Sequence, residues 1–425
     1  MKQTFWHPFS DMSKLSDREV VLARGQGVWL RDTAGKAYLD ATAGLWFANV
    51  GHGRDEIASA VAGQLRALAA YSTFDVFGNE PALELSDRLA ALSPLPQTAV
   101  FLTSGGSDSV DTAAKMARRY WQLCGEPDRT LIIARSDAYH GMHGFGTSLA
   151  GISANAEGWG TIVGDVAHVD HSNIQALRAV FDKNKGRIAA FIGEPVIGAG
   201  GVRPPSPGYW QEVQKLCVEH EALLIVDEVV TGFGRLGDWF ACQHYDIQPD
   251  LITTAKGITS GYLPLGAVLV GARVRDALWS EQAGVFRHGY TYSGHPACCA
   301  AALVNLDIIE REDLLNRVRD LTGVLAKHLD ALQELPVVSQ TRSAGLLGAV
   351  ELSESVAGGR AKAVEDLVAR MRGRGVLVRG LVGHSIQLSP PFVITEAELS
   401  QLFTVLSEEL TEVPITGDER HPVDA

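Results

Sequence analysis

The sequence predicts an α/β protein, with a mixed, mostly parallel central sheet flanked by helices and a smaller α+β unit near the C-terminus. Three observations predict it. Short apolar runs alternate with helical patterns through the middle of the chain, several of these runs are continuous in β-branched residues and leucine, and the pattern changes after about residue 305. Continuous apolar strands are those covered on both faces, and strand–helix repetition implies parallel pairing.

The chain opens irregularly. Val28-Trp29-Leu30 and Ala37-Tyr38-Leu39 then alternate around Asp32-Thr33-Ala34-Gly35, a hairpin signature. Strands are expected at Ala99–Thr103, Thr130–Ala134, Ile188–Ile192, Leu223–Val226, Leu251–Thr253 and Ala267–Val270. Farther on, helices near 312–334 and 361–373 enclose Ser343–Leu352, which contains the strand candidate Leu346–Leu352; Val376–Val378 and Ile386–Leu388 are further short strands. A last helix starts at Thr395, where Thr395 and Glu398 form a capping box and Leu399, Leu402, Phe403 and Leu406 supply the apolar stripe. The expected division is a large unit, residues 49–304, and a small unit assembled from 1–48 and 305–425. No internal repeat or low-complexity linker interrupts the chain.

With 425 residues, 46% of them hydrophobic, the chain can build a sizeable core without disulfides or structural metals. A formal net charge of −13 with scattered basic residues argues against nucleic acid or an anionic membrane as partner. The opening MKQTFWHPFSD lacks the apolar core of a signal peptide, and no stretch approaches the roughly 18 apolar residues of a membrane span. Five cysteines (Cys124, Cys217, Cys242, Cys298, Cys299) without CxxC spacing read as reduced, mostly buried thiols of a cytoplasmic protein.

Three segments carry candidate chemistry. Thr103-Ser104-Gly105-Gly106-Ser107-Asp108 follows a strand and opens a helix whose apolar stripe is Val110, Ala113, Ala114, Ala117 and Trp121. Glycines admit an anion to the backbone, free amides at a helix start attract it, and Ser107 adds a hydroxyl. The same residues also make ordinary strand–helix turns, and they match neither the dinucleotide fingerprint nor a Walker loop. Leu223–Val226 leads into Asp227-Glu228, which places Asp227 at the carboxyl edge of the sheet, where α/β proteins bind ligands. A carboxylate there serves a ring nitrogen, a metal, or a helix cap; metal is disfavoured because no His or Asp stands at ligand spacing. Asp250–Ala255 is a strand running into Lys256 among small residues. A lysine stripped of water has a lowered pKa and a nucleophilic amine, although a strand-end lysine can also sit at the surface. Anion cup, carboxylate and lysine, in this order on an α/β scaffold, are what pyridoxal 5′-phosphate requires.

The motifs GSDSVDTAAKMAR (from Gly106), YHG (Tyr139–Gly141), EPVIGAGG (from Glu194), DEVVTGFGR (from Asp227), TTAKG (ending at Gly257) and TYSGHP (from Thr291) together resemble the class III, or ω-type, aminotransferases. These are fold type I pyridoxal-phosphate enzymes, and the resemblance runs from about Trp6 to Leu406. It implies that Gly106 and Ser107 hold the phosphate, Tyr139 stacks on the pyridine ring, Asp227 partners the ring nitrogen, Val229 lies beneath the ring and Lys256 is the Schiff-base lysine. It also implies that Thr291 reaches the phosphate of a neighbouring subunit, hence a homodimer, or a dimer of such dimers, with active sites at the subunit interface.

Departures within the family bear on substrate. Where the ornithine and γ-aminobutyrate branch has a second glutamate in EPxxGE, this chain has Ala199; where that branch has glutamine after DEV, it has Val230. Both substitutions, and Gly44-Leu45-Trp46 with its pocket tryptophan, resemble the branch that uses β-alanine, pyruvate and primary amines. Arg379, expected on a short loop flanked by Gly375, Gly380 and Gly383, resembles the mobile arginine for the keto-acid carboxylate, with Arg374 as the alternative. The expected reaction is ping-pong transfer of an amino group from an ω-amino acid or primary amine to pyruvate or a similar keto acid. Phe5-Trp6-His7-Pro8-Phe9 is similar to the diaminopelargonate aminotransferases, which use adenosylmethionine; decarboxylases and aminomutases share the cofactor residues and remain as alternatives.

Overall fold

The computed structural model describes residues 4–15 and 19–416. The N-terminal part contributes strands β1 (Leu22–Gln26), β2 (Trp29–Asp32) and β3 (Ala37–Asp40). The next strands are β4 (Ala99–Thr103), β5 (Leu131–Arg135), β6 (Val166–Val169), β7 (Ile188–Gly193), β8 (Leu223–Asp227), β9 (Leu251–Thr254) and β10 (Gly266–Val270). The C-terminal part adds β11 (Val338–Ala344), β12 (Leu347–Leu352), β13 (Val376–Leu377), β14 (Arg379–Leu381) and β15 (Ser385–Leu388).

Strands β4 to β10 form one seven-stranded sheet in the order β4-β10-β9-β8-β7-β5-β6. Strand β10 runs against both its neighbours, and all other pairs are parallel. The sheet is therefore mixed and mostly parallel, and β4, β5, β8 and β9 end at one edge. Every residue of β5, β7, β8, β9 and β10 is buried, which is why these strands read as unbroken apolar runs. The helix Gly106–Leu123 lays Val110, Ala113, Ala114, Ala117 and Trp121 against the sheet, and the Trp121 indole donates to the Ala189 carbonyl at 2.8 Å.

Strands β11, β12, β15 and β14 make an antiparallel C-terminal sheet. Strand β13 pairs in parallel with β3, so the C-terminal part completes the N-terminal sheet. Thr395 caps the helix Glu396–Thr411 with the expected reciprocal bonds to Glu398. The helix Pro296–Arg311 runs unbroken across residue 305 and buries Ala301, Ala302, Leu306 and Ile309. One expectation is corrected: Arg379 does not lie on a loop but opens β14, opposite Gln387 of β15, because the hairpin backbone satisfies itself by pairing. Four of the cysteines are buried, and Cys124 is exposed.

Candidate active site

The carboxyl edge of the large sheet opens into a cavity of about 320 Å³. Of the residues singled out in the sequence, Trp46, Gly106, Ser107, Tyr139, Asp227, Val229, Lys256 and Arg379 line it, and Thr291 does not. Thr291 is exposed in a separate recess with Tyr71, Tyr292 and His295.

Neighbouring strands position the central pair. Strand β8 ends at Asp227 and the adjacent β9 leads through Ala255 to Lys256, so both side chains enter the cavity from one side. Lys256 itself has a left-handed backbone, φ 46°, that turns the chain off the strand. Its ammonium lies 5.3 Å from the Trp46 ring centre. Loss of hydration pushes its pKa down to about 8, against the pull of the Asp227 and Glu194 carboxylates and with that of Arg379. The surface reading of this lysine does not hold.

Asp227 is buried and doubly held: His140 Nδ1 donates to Oδ2 at 2.7 Å, and the Val229 amide donates to Oδ1 at 3.1 Å. His140 Nε2 is buried without a hydrogen-bond partner. Beside them Glu194 is fully enclosed; its carboxylate accepts from the Tyr139 and Gly198 amides, both at 3.1 Å, and burial holds its pKa above the usual range. His140 and Glu194 sat inside the YHG and EPVIGAGG motifs, but only the fold shows that one orients Asp227 and the other fixes the backbone beneath Tyr139.

The anion cup is built by glycine. The helix Gly106–Leu123 has no side-chain cap at its start, so its first amides are free. A Cβ on Gly106 would come within 2.9 Å of Val229 Cγ1, and one on Gly141, whose φ is +89°, within 2.4 Å of Ser107 Oγ. Ser107 Oγ accepts from the Met142 amide at 3.1 Å, which fixes the hydroxyl at the cup. The Asp108 carboxylate at this helix start is engaged by the Ser104 amide and by His143. Free helix-start amides, a glycine cradle, an oriented carboxylate and a desolvated lysine in one cavity fit a phosphorylated pyridine aldehyde.

The opposite wall comes from two distant segments. Residues 40–49 form a strap in which Ala43, Gly44 and Trp46 all have positive φ (46°, 66° and 62°), held by the buried Asp40 carboxylate, which accepts from the Thr42 and Gly44 amides and from His52. This puts Trp46 in the cavity, and the Arg379 guanidinium of β14 stands 5.3 Å from its ring centre. Burial holds Arg379 below the usual arginine pKa, with Tyr139 opposing. Ala199 and Val230 also line this side. Arg374 is elsewhere: it follows the helix Arg360–Gly373 and pairs with Glu408 and Glu409.

The comparisons with known proteins agree on a family. The family model "Aminotransferase class-III" matches residues 12–410. A putrescine–pyruvate aminotransferase of Pseudomonas aeruginosa is 34% identical, over 94% of this chain and 92% of its own. A β-alanine–pyruvate aminotransferase of the same organism is 35% identical, over 95% of each. Among solved structures, an (S)-enantioselective ω-transaminase from Thermomicrobium roseum superposes with a TM-score of 0.92 at 40% identity, covering 96% of both chains. An amine transaminase from an uncultivated Pseudomonas species, in its pyridoxal-phosphate-bound form, gives 0.91 at 37% identity, covering 97% of this chain and 100% of its own. Family model, relatives and architecture converge on one assignment: the chain belongs to the class III aminotransferases.

Proposed function

We propose that this aminotransferase holds pyridoxal 5′-phosphate on Lys256 and moves an amino group from an ω-amino acid or primary amine to pyruvate or a similar keto acid, in two half-reactions. The observation that carries the reading is the pair Asp227 and Lys256, entering one cavity from adjacent strand ends. The cofactor, when bound, supplies an aldehyde for amine exchange and an electron sink for the substrate carbon. Gly106, Ser107 and the helix-start amides would hold its phosphate, and Tyr139 and Val229 would flank its ring. Asp227, aligned by His140, would keep the ring nitrogen protonated.

Lys256 has two tasks. Its amine would tether the cofactor, and its Nζ, once freed by substrate, would take up and return the proton of the substrate carbon. Arg379 receives the keto-acid carboxylate through paired N–H donors, and Trp46 shapes the pocket for the donor. The pyruvate-using relatives, together with Ala199 and Val230 in the pocket wall, support this substrate class. A screen of β-alanine, diamines, aryl amines and adenosylmethionine, each followed by bleaching of the cofactor's visible band, tests it. Bleaching by adenosylmethionine alone overturns it in favour of the diaminopelargonate reading, which Phe9 in the cavity wall supports.

We also read the enzyme as a cytoplasmic homodimer. Tyr71, Phe74, Val76, Phe77 and Tyr292 are exposed around the Thr291 recess, an apolar patch suited to a second copy. Light scattering that gives the monomer mass overturns the dimer. Residues 49–304 serve as the cofactor unit and 1–48 with 305–425 as the second unit, a division the β3–β13 pairing supports.

A further inference from the structure

Behind the active-site wall lies a second, smaller cavity of about 140 Å³. Arg135, Arg203 and Arg342 line it, together with His171, Ser172 and Ser206, and no carboxylate among the described residues does. In a chain of net charge −13 this is a concentration of positive charge with no role in amino transfer. We propose that this cavity is a binding site for a small oxyanion, a phosphate or a compact carboxylate.

The arginines are only partly neutralised. Asp137 lies 3.6 Å from Arg203 Nε and 3.5 Å from His171 Nδ1, and Glu351 lies 2.6 Å from Arg342 Nη1. Arg135 has no carboxylate partner among the described residues. It is 2% exposed, donates to the Glu194 carbonyl, and rests 5.1 Å and 5.4 Å from the ring centres of Trp210 and Tyr209. Its Nε and the Tyr209 hydroxyl are both buried without hydrogen-bond partners. A buried guanidinium without a counter-charge is costly, and an anion in the adjoining cavity would relieve that cost. Burial, and then the Arg203 charge, hold His171 below its ordinary pKa, the direction a positive cavity gives. The volume exceeds several waters at about 30 Å³ each and so has room for a tetrahedral oxyanion or a short dicarboxylate.

The site touches the active-site wall without sharing its cavity. Arg342 donates from Nε to the Gly201 and Val202 carbonyls, at 3.0 and 3.1 Å, and from Nη2 to Ser385 Oγ at 2.8 Å. Arg203 Nη2 would lie 3.2 Å from a Cβ on Gly383. These residues flank Ala199 on one segment and Arg379 on the other, so an anion here braces the hairpin that carries Arg379.

The test is calorimetric titration of the cofactor-loaded enzyme with inorganic phosphate and, separately, succinate, at constant ionic strength. With the cofactor's own phosphate in place, the expected result is one saturable site for at least one of the two anions. Arg203→Gln should weaken it about tenfold or more, the loss of one charge-assisted hydrogen bond, while Arg379→Ala leaves it intact. Ser206→Glu, which puts a negative charge at the rim, should abolish binding and keeps the question open to refutation if Arg203→Gln does not fold. No saturable binding of either anion, undiminished binding in a folded Arg203→Gln or Ser206→Glu protein, or loss in Arg379→Ala overturns the proposal.

Discussion

Replacing Arg379 by alanine removes a guanidinium that is largely buried beside Trp46, its pKa held below the usual value by that burial, with Tyr139 opposing. In the resting pocket the charge is poorly compensated, so its removal should leave thermal stability unchanged or slightly higher. Toward a keto acid the effect is opposite. A hydrogen bond to a charged group is worth about 1.5–3 kcal/mol. At roughly 1.4 kcal/mol per decade, that predicts a ten- to hundredfold rise in the Michaelis constant for pyruvate. An amine donor without a carboxylate gains nothing from Arg379 and should react as before. Stopped-flow traces of the two half-reactions, read separately at the cofactor's absorbance, measure both quantities on one variant. Equal losses for both substrates, or an unchanged constant for pyruvate, would refute carboxylate binding by Arg379. Because Arg374 is tied to Glu408 and Glu409, the role could not then pass to it without breaking those pairs.

The remaining predictions concern the cofactor side. Lys256→Ala should lose every borohydride-reducible link between protein and cofactor; a surviving link, seen by mass spectrometry, would mean that another lysine holds it. Asp227→Asn should still bind cofactor but lose turnover worth on the order of 3–5 kcal/mol, by analogy with a broken buried ion pair, and near-normal kcat would end this assignment. Covalent uptake of pyridoxal phosphate by the cofactor-free protein should accelerate as pH rises through about 8 and level off above it, because only the unprotonated Lys256 amine attacks. A midpoint near the ordinary lysine value would show that burial does not tune it. Gly141→Ala, at φ +89° and with its Cβ 2.4 Å from Ser107 Oγ, should strain the cup by about 1–3 kcal/mol and weaken cofactor retention on dialysis.

The parts legible in the sequence are those whose physics is local. Strands β5, β7, β8, β9 and β10 are buried along their whole length, so each announced itself as an apolar run. The Thr395 capping box could be read because both of its partners lie within one turn. Strands β1, β6, β11 and β14 were not visible. Leu22–Gln26 is largely exposed, Val166–Val169 fully buries only Val169, and Val338–Ala344 is mostly polar, so pairing with neighbours makes them strands rather than any pattern of their own. Arg379 looked like a loop residue because glycines surround it, yet β15 recruits it into a hairpin. The same rule holds in the site. Asp227 ends a strand, and Gly106, Ser107 and Lys256 follow strand ends within four residues, so the sequence could point to them, whereas the bond from His140 to Asp227 spans 87 residues and follows only from the strand order.

The wall that would meet the substrate is assembled from both ends of the chain, and its registration to the cofactor side has a physical origin. The segment that begins with Asp227 ends eight residues later at Arg235, which is fully buried. Arg235 donates to the carbonyl of Pro390 and, through its other terminal nitrogen, to Asn49 Oδ1, both at 2.7 Å, while its guanidinium lies 4.6 Å from the Phe392 ring centre. Asn49 closes the strap that carries Trp46, and Pro390 follows the β14–β15 hairpin that carries Arg379. Burial pushes the Arg235 pKa down to about 9, against the pull of the Asp40 carboxylate. The two terminal nitrogens of a guanidinium kept at that cost find carbonyl and amide acceptors, and its plane a ring, only when the strap and the hairpin are both docked, while its Nε stays unpaired among the described residues. One segment thus sets Asp227, the proposed partner of the ring nitrogen, at its start and the strap and hairpin that carry Trp46 and Arg379 at its end, so the spacing between the proposed cofactor and substrate sides is fixed within a single stretch of backbone.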